Sequence, residues 1–246
     1  MTETSIADAV AHILGQTPAS VVLVDTCSLL DLFRRDESRP QRRVVIEEIQ
    51  AATFLLELVT SNPNSAHLFV PELIPKEFED HANRTETSFR SWTKLHDDNQ
   101  KWLVEAFGCF SVPLPAALSV ANLNLAAKLR SLANNLFAKA IILKRDQTCL
   151  DKAVERLINK TRPSHDKEMK DSMNIEQCLE LSRRLQQHGF PSSRVWISSN
   201  TKDFAETSNS SVLHPELHDD FNAVGLKYFT SLREAFFHLR SKGEIL

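Results

Sequence analysis

The clearest pattern in the chain is the segment VVLVDTCSLLDLF, from Val21 to Phe33, in which four apolar residues run directly into an aspartate. An uninterrupted, β-branched-rich run is typical of a strand buried on both faces, as in a parallel sheet, and LLDLF fits the helix that follows. Asp25 therefore ends a strand. Because ligands bind at the carboxyl ends of strands in open α/β sheets, Asp25 is either a helix cap or part of a site.

The same periodicities predict the remaining elements of the first two thirds of the chain. SIADAVAHIL fits a short helix before the first strand, QRRVVIEEIQAATFLLELVTS a long helix, and HLFVP a second strand. From about Lys76 to Thr161 the pattern is almost entirely helical, with few breakers outside SVPLP. We interpret this stretch as a helical arm or insertion, over about residues 78–161.

The last third returns to alternating helix and strand. DSMNIEQCLELSRRLQQHG predicts a helix that ends at Gly189, followed by a strand in RVWISS, a turn in NTKDF, a strand in GLKYF and a helix in SLREAFFHLRS. No linker divides the chain. We therefore predict one α/β domain over residues 1–246, a parallel sheet flanked by helices (α/β/α) with the helical insertion in the middle.

Composition and charge narrow the classes of function. The 246 residues, 42% hydrophobic and 25% charged, are typical of a globular chain with one sizeable core. No apolar run approaches the roughly 20 residues that span a bilayer, and the polar start MTETSIADAV lacks the order of a secretory signal, so we expect a cytoplasmic protein without a membrane segment. The four cysteines form no C-x-x-C pair, which predicts reduced thiols. A net charge of −3 excludes a globally basic nucleic-acid binder but leaves a local basic patch open.

Four acidic residues stand at predicted strand ends or helix starts: Asp25, Glu77, Asp171 and Asp203. If the strands are parallel, these carboxylates converge at one edge of the sheet. Their mutual repulsion costs several kcal/mol unless cations neutralise it. Because hard cations prefer oxygen ligands, such a cluster predicts a Mg²⁺ or Mn²⁺ site.

Other catalytic chemistries lack their motifs. The sequence has no G-x-x-x-x-G-K-[ST], G-x-S-x-G or G-x-G-x-x-G, and its five glycines leave little room for a phosphate-cradling loop. A haloacid-type phosphatase requires D-x-D after the first strand, where this chain has Asp25-Thr26-Cys27.

Four blocks in order, VVLVDTCSLLDL, VPELIPKEF, RPSHDKEMKDSMNIEQCLEL and VWISSNTKDF, resemble the PIN-domain family of metal-dependent ribonucleases, in particular a longer branch with a helical insertion. The resemblance implies a PIN-like sheet and metal-binding catalytic acids at Asp25, Glu77 and Asp171, with Glu176 as a further acid. In the family the last block carries an acid where this chain has Thr201. Asp203, or Asn200 through its amide oxygen, is then the replacement.

Each candidate also has a structural interpretation. Asp25 and Asp171 can cap helices, and Glu77, beside Glu79 and Asp80, can belong to a solvated turn. Glu176 lies ~140° around the helix from Asp171, so both face one metal only if Asp171 belongs to the cap. Four polar residues are either turn formers or contacts to substrate or water: Ser28, Ser199, Asn200 and Thr201.

A basic row precedes Asp171. Lys152, Arg156 and Lys160 recur at i, i+4 and i+8, with Arg162 following, which predicts a positive stripe that contacts RNA phosphates. The alternative is a solvated face paired with Asp151 and Glu155. Two tryptophans of the insertion, Trp92 and Trp102, are expected to be core anchors rather than platforms for base stacking.

The sequence thus predicts a Mg²⁺- or Mn²⁺-dependent endoribonuclease that hydrolyses RNA phosphodiester bonds at its acid cluster. The alternative belongs to another class: a PIN-like scaffold with a decayed site, which binds RNA or protein without cutting. RNA is the expected partner. The resemblance also allows an antitoxin or another protein partner, and it allows a homodimer.

Overall fold

The structure is a computed structural model, which describes residues 2–34, 46–61, 65–112, 114–115, 119–164, 169–208 and 210–245. Its strands are β1 (Thr2–Ser5), β2 (Ser20–Val24), β3 (Ala66–Pro71), β4 (Ile141–Lys144), β5 (Arg194–Ile197) and β6 (Leu226–Phe229). All pair in parallel in one sheet of order β1-β4-β3-β2-β5-β6. This confirms the predicted α/β class.

Helices connect the strands. In chain order they are α1 (Ile6–Leu14), α2 (Thr26–Leu30), α3 (Ile46–Ser61), α4 (Ile74–Gly108), α5 (Leu125–Lys139), α6 (Gln147–Asn159), α7 (Met169–Gln187), α8 (Thr201–Phe204), α9 (Pro215–Ala223) and α10 (Leu232–Ser241). A 3₁₀ turn, Ala121–Leu123, precedes α5. The long helix predicted over residues 41–61 is present from Ile46, and residues 41–45 lie outside the described residues.

Strand β2 lies at the centre of the sheet. All five of its residues are buried, as the run of apolar residues predicts. It pairs with β3 on one side and β5 on the other, so that Val22 stands opposite Leu68 and Val195. Since the three strands are parallel, the segments that follow them all emerge at the same edge of the sheet. Asp25 and the candidate residues that follow β3 and β5 therefore lie at this edge.

Helix α7 is buried on nearly every face. Its twelve buried residues include a continuous run from Ser172 to Ser182, and it packs against α6 and α1. A helix surrounded in this way must bury polar side chains as well as apolar ones. Those polar side chains need partners from neighbouring helices.

Two strands were missed by the sequence pattern. Strand β4 lies inside the span predicted as a helical insertion and pairs with β1 and β3, so the helical pattern stops at Lys139 and resumes in α6. Its four residues, IILK, are too few to show a period of two between two helices. Strand β1 is polar (TETS) because it is an edge strand, and three of its four residues are exposed.

The arm helix α4 is only partly packed. Its buried residues recur with helical spacing up to Asp97, and among the described residues none from 98 to 112 is buried. Trp92 packs against the core, edge-to-face with Phe89. Trp102 is 65% exposed, so the prediction that it anchors the core is wrong. Helical spacing placed both tryptophans on the helix but could not show where the helix leaves the core.

None of the four cysteines forms a disulfide, and Cys149 and Cys178 are buried. Across the described residues, no helix combines the length and apolar character that a membrane span requires.

Candidate active site

Three acidic residues lie at the edge of the sheet where β2 and its two neighbours end. Asp25 directly follows β2, Glu77 lies in the first turn of α4 after β3, and Asp171 lies in the first turn of α7. We call Asp25, Glu77 and Asp171 the acidic edge. The segment after β5, residues 198–203, lies on the other side of Asp25.

Asp25 is buried, with 3% of its surface exposed. Its Oδ1 accepts a hydrogen bond from the backbone N–H of Thr26 at 2.8 Å, and its Oδ2 accepts one from the Ser198 hydroxyl at 2.6 Å. The first bond caps α2, so the predicted capping role is real. Burial, with a smaller contribution from the charge of Glu77, raises the pKa of Asp25 to about 7, although the Ser198 hydrogen bond opposes the shift. A carboxylate at this position is poorly stabilised by the protein alone.

Glu77 is coupled to Asp25 through one threonine. The hydroxyl of Thr26 donates to Glu77 Oε2 at 3.0 Å, while the backbone N–H of the same residue donates to Asp25. Thr26 therefore touches both carboxylates. The alternative of a solvated acidic turn does not describe Glu77, which is half-buried and faces α2.

Asp171 joins the same arrangement through the segment after β5. Asn200 donates from Nδ2 to Asp171 Oδ2 at 3.3 Å, and its backbone N–H donates to the Ser198 hydroxyl at 3.2 Å. A continuous chain of hydrogen bonds thus links the three acids, in the order Glu77, Thr26, Asp25, Ser198, Asn200 and Asp171. No sequence signal points to Ser198 beyond its place directly after a buried strand.

The thiol of Cys27 lies among several charged side chains. Burial raises the pKa of this thiol well above its usual range; the negative charges of Asp25, Asp31 and Asp171 also raise it, while the positive charge of Arg34 lowers it. Asp31 is itself paired with Arg34 at 3.2 Å. Asp25, before α2, and Asp171, on α7, thus both act on the same buried thiol.

The other residues after β5 shape the turn. Asp203 is half-buried in α8, and its backbone N–H donates to the carbonyl of Asn200. Thr201 donates its hydroxyl to the carbonyl of Ser208 at 2.7 Å, which is a turn-forming contact. Ser28 accepts from the backbone N–H of Ser199 at 3.1 Å and so ties the start of α2 to this turn.

Glu176 occupies a different environment from the acidic edge. It is 2% exposed, and Arg156 Nε donates to its Oε1 at 2.6 Å. Arg156 also pairs with Asp220 and donates to the carbonyl of Arg162. This buried ion pair argues against the prediction that Glu176 binds metal. As the rotation of ~140° from Asp171 indicates, the two acids point to different neighbours.

The predicted basic stripe is not a continuous row of free charges, because Arg156 belongs to this buried ion pair. Arg156 is 12% exposed and paired on two sides, so it does not offer a free charge to RNA. Lys152 lies 3.6 Å from Glu180, and Lys160 ends α6 in the left-handed region at φ 54°. Arg162 donates to the carbonyl of Lys202 and therefore lies beside α8. Lys152 and Arg156 are thus paired internally, but with acids of α7 and α9 rather than with Asp151 and Glu155.

The donor chemistry of the acidic edge fits a hard divalent cation. Its groups are carboxylate, hydroxyl and amide oxygens, the ligands that Mg²⁺ and Mn²⁺ prefer. Beside it, the buried Ser199 hydroxyl has no hydrogen-bond partner in the protein. Within the described parts of the chain, no three His, Cys, Asp or Glu side chains already form a metal-binding group. Asp25, Glu77 and Asp171 are joined through hydrogen bonds rather than placed as a preformed ligand set.

Asn174 is a residue that sequence reasoning missed. It is 1% exposed, and neither its amide nitrogen nor its amide oxygen has a partner in the protein. On α7, positions 171, 174 and 178 share one face. Cys178, whose thiol pKa burial raises and Asp25 raises further, completes that face. Asn174 thus lies between Asp171 and the neighbourhood of Asp25.

Comparison with known proteins identifies the family to which the chain belongs. No curated protein and no solved structure matches the chain significantly. The family model of the PIN domain matches residues 22–204, well over half of the chain, from β2 through α8, and this range includes all three residues of the acidic edge. The chain belongs to the PIN-domain family.

Proposed function

We propose that the protein is a metal-dependent endoribonuclease whose acidic edge hydrolyses RNA phosphodiester bonds. PIN domains are generally nucleases. The observation that carries the proposal is Asp25, a buried carboxylate with a pKa raised to about 7, linked by hydrogen bonds to Glu77 and Asp171. Buried acids in a structural role are usually paired with bases, whereas Asp25 is linked to two other acids at a strand end, where substrates of α/β proteins bind.

In this proposal Asp25, Glu77 and Asp171 hold Mg²⁺ or Mn²⁺, with Asp203 as a further ligand from α8. A bound ion lowers the pKa of a coordinated water and neutralises charge on the phosphate. Thr26 and Ser198 orient the two oxygens of Asp25 by hydrogen bonding, so that its carboxylate cannot rotate freely. Asn200 does the same for Asp171.

RNA contacts are proposed on the side of α8. Asn200 donates to Asp171 of the acidic edge, the neighbouring Ser199 hydroxyl is buried without a partner, and Arg162 places its guanidinium at the carbonyl of Lys202. Arg162 is the member of the basic row that contacts this segment, and we propose Arg162 and the nearby Lys160 as phosphate contacts. An antitoxin or other protein partner remains part of the family expectation.

The test is cleavage of labelled single-stranded RNA by the pure protein. We expect cuts with Mg²⁺ or Mn²⁺ and none with EDTA, and a loss of at least about 100-fold in Asp171→Asn. Asp80→Asn, an exposed acid three residues from Glu77, is the matched control and should cut at the normal rate. RNA that binds but stays intact in every metal would instead support the decayed scaffold.

Asn174 provides an independent prediction. Two unpaired polar atoms in the interior cost roughly 1–3 kcal/mol each unless water fills the site, so Asn174→Leu should leave stability in EDTA unchanged or raise it. If the Asn174 amide serves the acidic edge, cleavage should fall at least tenfold. Ser182→Ala is the control, since it removes a different unpaired buried polar group, a hydroxyl two turns further along α7. A variant Asn174→Leu that unfolds more easily and cuts normally would make the amide structural.

A further inference from the structure

Strand β6 is the outermost strand beside β5, and it holds Ser198, the residue that directly follows β5. The backbone N–H of Ser198 donates to the carbonyl of Phe229 at 3.0 Å. The carbonyl of Ser198 accepts a hydrogen bond from the Tyr228 hydroxyl, also at 3.0 Å. The first bond continues the backbone pairing of the two strands. The second comes from a side chain, and it fixes the carbonyl at the point where β5 ends.

The ring of Tyr228 supports the other end of the segment that follows β5. It stacks on the ring of Phe204, with the ring centres 6.3 Å apart and the ring planes 29° apart. Phe204 is fully buried and directly follows Asp203 at the end of α8. Tyr228 therefore contacts residues 198–204 at both ends, with its hydroxyl at Ser198 and its ring at Phe204.

Ser198 links Tyr228 to the acidic edge. The hydroxyl of Ser198 donates to Asp25 Oδ2 at 2.6 Å and accepts from the backbone N–H of Asn200 at 3.2 Å. Because the carbonyl and the hydroxyl belong to one residue, a displacement of the carbonyl also moves the hydroxyl. A chain of two hydrogen bonds thus runs from Tyr228 through Ser198 to Asp25.

The hydroxyl of Tyr228 is not explained by packing. The sequence contains 14 phenylalanines and a single tyrosine, and a phenylalanine at position 228 would make the same ring contact with Phe204. Burial, with a smaller contribution from the charge of Asp25, raises the pKa of the Tyr228 hydroxyl well above its usual range. The hydroxyl therefore stays protonated at neutral pH, where it donates to the Ser198 carbonyl.

We propose that Tyr228 is a positioning residue of the acidic edge, which fixes Ser198 and, through Ser198, the carboxylate of Asp25. The inference rests on the proposed nuclease function. The family model ends at residue 204, so Tyr228 lies outside the part of the chain that the family match covers. Residues that hold metal ligands in place contribute about 10–100-fold to metal affinity or activity. A purely structural tyrosine would contribute to stability without a selective effect on turnover.

Tyr228→Phe tests the proposal, because it removes the hydroxyl and keeps the ring on Phe204. At saturating Mn²⁺ we expect kcat for RNA cleavage to fall about tenfold or more and KM to change less than about twofold, since the proposed RNA contact Arg162 is untouched. Calorimetric titration should show that Mn²⁺ binds about tenfold more weakly. The melting temperature should fall by only a few degrees, as expected for one lost hydrogen bond.

The matched control is Thr230→Val. It removes a hydroxyl from the residue directly after β6, where the partner is Glu234 Oε2 at 2.8 Å instead of Ser198. The control should lose a similar amount of stability but keep the natural kcat and Mn²⁺ affinity. An equal loss of kcat in the control would mean that any loosening at this end of β6 is sufficient, and it would overturn the specific role of Tyr228.

The double variant Tyr228→Phe/Ser198→Ala tests the route of the effect. If Tyr228 acts through Ser198, the double variant should match Ser198→Ala in kcat to within about threefold, because residues that act as a unit are not additive. Losses that multiply would place the action of Tyr228 elsewhere and overturn the proposal. So would a Tyr228→Phe variant that cleaves RNA and binds Mn²⁺ like the natural chain. A natural chain that does neither would overturn the nuclease function, and this inference with it.

Discussion

Replacing Asp25 with asparagine is expected to make the metal-free protein more stable at about pH 8, by about 2–4 kcal/mol, while abolishing cleavage. Burial raises the pKa of Asp25 from 3.8 to about 7. A tenfold change in an acid's ionisation constant corresponds to about 1.4 kcal/mol, so ionising Asp25 in the folded chain costs a few kcal/mol. Asparagine keeps an oxygen that can accept from the Thr26 N–H but carries no charge.

The pH dependence follows from the direction in which folding moves this pKa. Because the pKa is higher in the folded chain, Asp25 contributes stability that is fully present below about pH 4 and is lost as pH rises through about 7. The difference between Asp25→Asn and the natural protein should therefore be small at about pH 4 and full at about pH 8. Urea unfolding in EDTA at both values measures it. A variant that is less stable than the natural chain at the higher pH would make Asp25 primarily a cap.

Breaking the buried ion pair of α6 and α7 is expected to have the largest effect on stability. Arg156→Gln leaves Glu176 buried without a cation, which costs about 3–5 kcal/mol in comparable pairs. The two side chains are 12% and 3% exposed. Thermal and urea unfolding should both show the loss, and Arg156→Gln/Glu176→Gln should recover part of it, since it removes the stranded charge.

Lys152→Gln is the matched control on the same helix. Lys152 is 36% exposed and lies 3.6 Å from Glu180, so its loss should cost less than about 1 kcal/mol. The RNA-stripe hypothesis predicts the opposite pattern: Arg156→Gln would keep its stability and bind RNA more weakly, with a flatter dependence on salt. That result would overturn the structural role of Arg156.

The sequence predicted the elements of the fold correctly where the local pattern of apolar residues is strong. The apolar run before Asp25 predicted a central buried strand, and β2 is that strand. Parallel strands imply a common edge, which predicted that Asp25, Glu77, Asp171 and Asp203 come together. A chain of hydrogen bonds joins the first three of these residues. The sequence did not predict the two strands with weak patterns. Strand β4 has only four residues, and β1 is polar because it lies at the edge of the sheet.

The sequence could not predict which residues far apart in the chain contact each other. Helical spacing placed Lys152, Arg156 and Lys160 on one face, yet only packing shows that Arg156 meets Glu176 and Asp220. The same limit applies to Ser198 and Asn174, whose roles depend on what lies across from them rather than on a motif. A spacing rule specifies a face of a helix, and the tertiary fold decides what that face meets.

Calorimetric titration of Mn²⁺ tests most directly whether the acidic edge is a metal site. We predict saturable binding to the natural chain, at least tenfold weaker binding to Asp25→Asn, and unchanged binding to Asp80→Asn. Equal affinity in the natural chain and Asp25→Asn, or no binding to either, would contradict a metal site at the acidic edge.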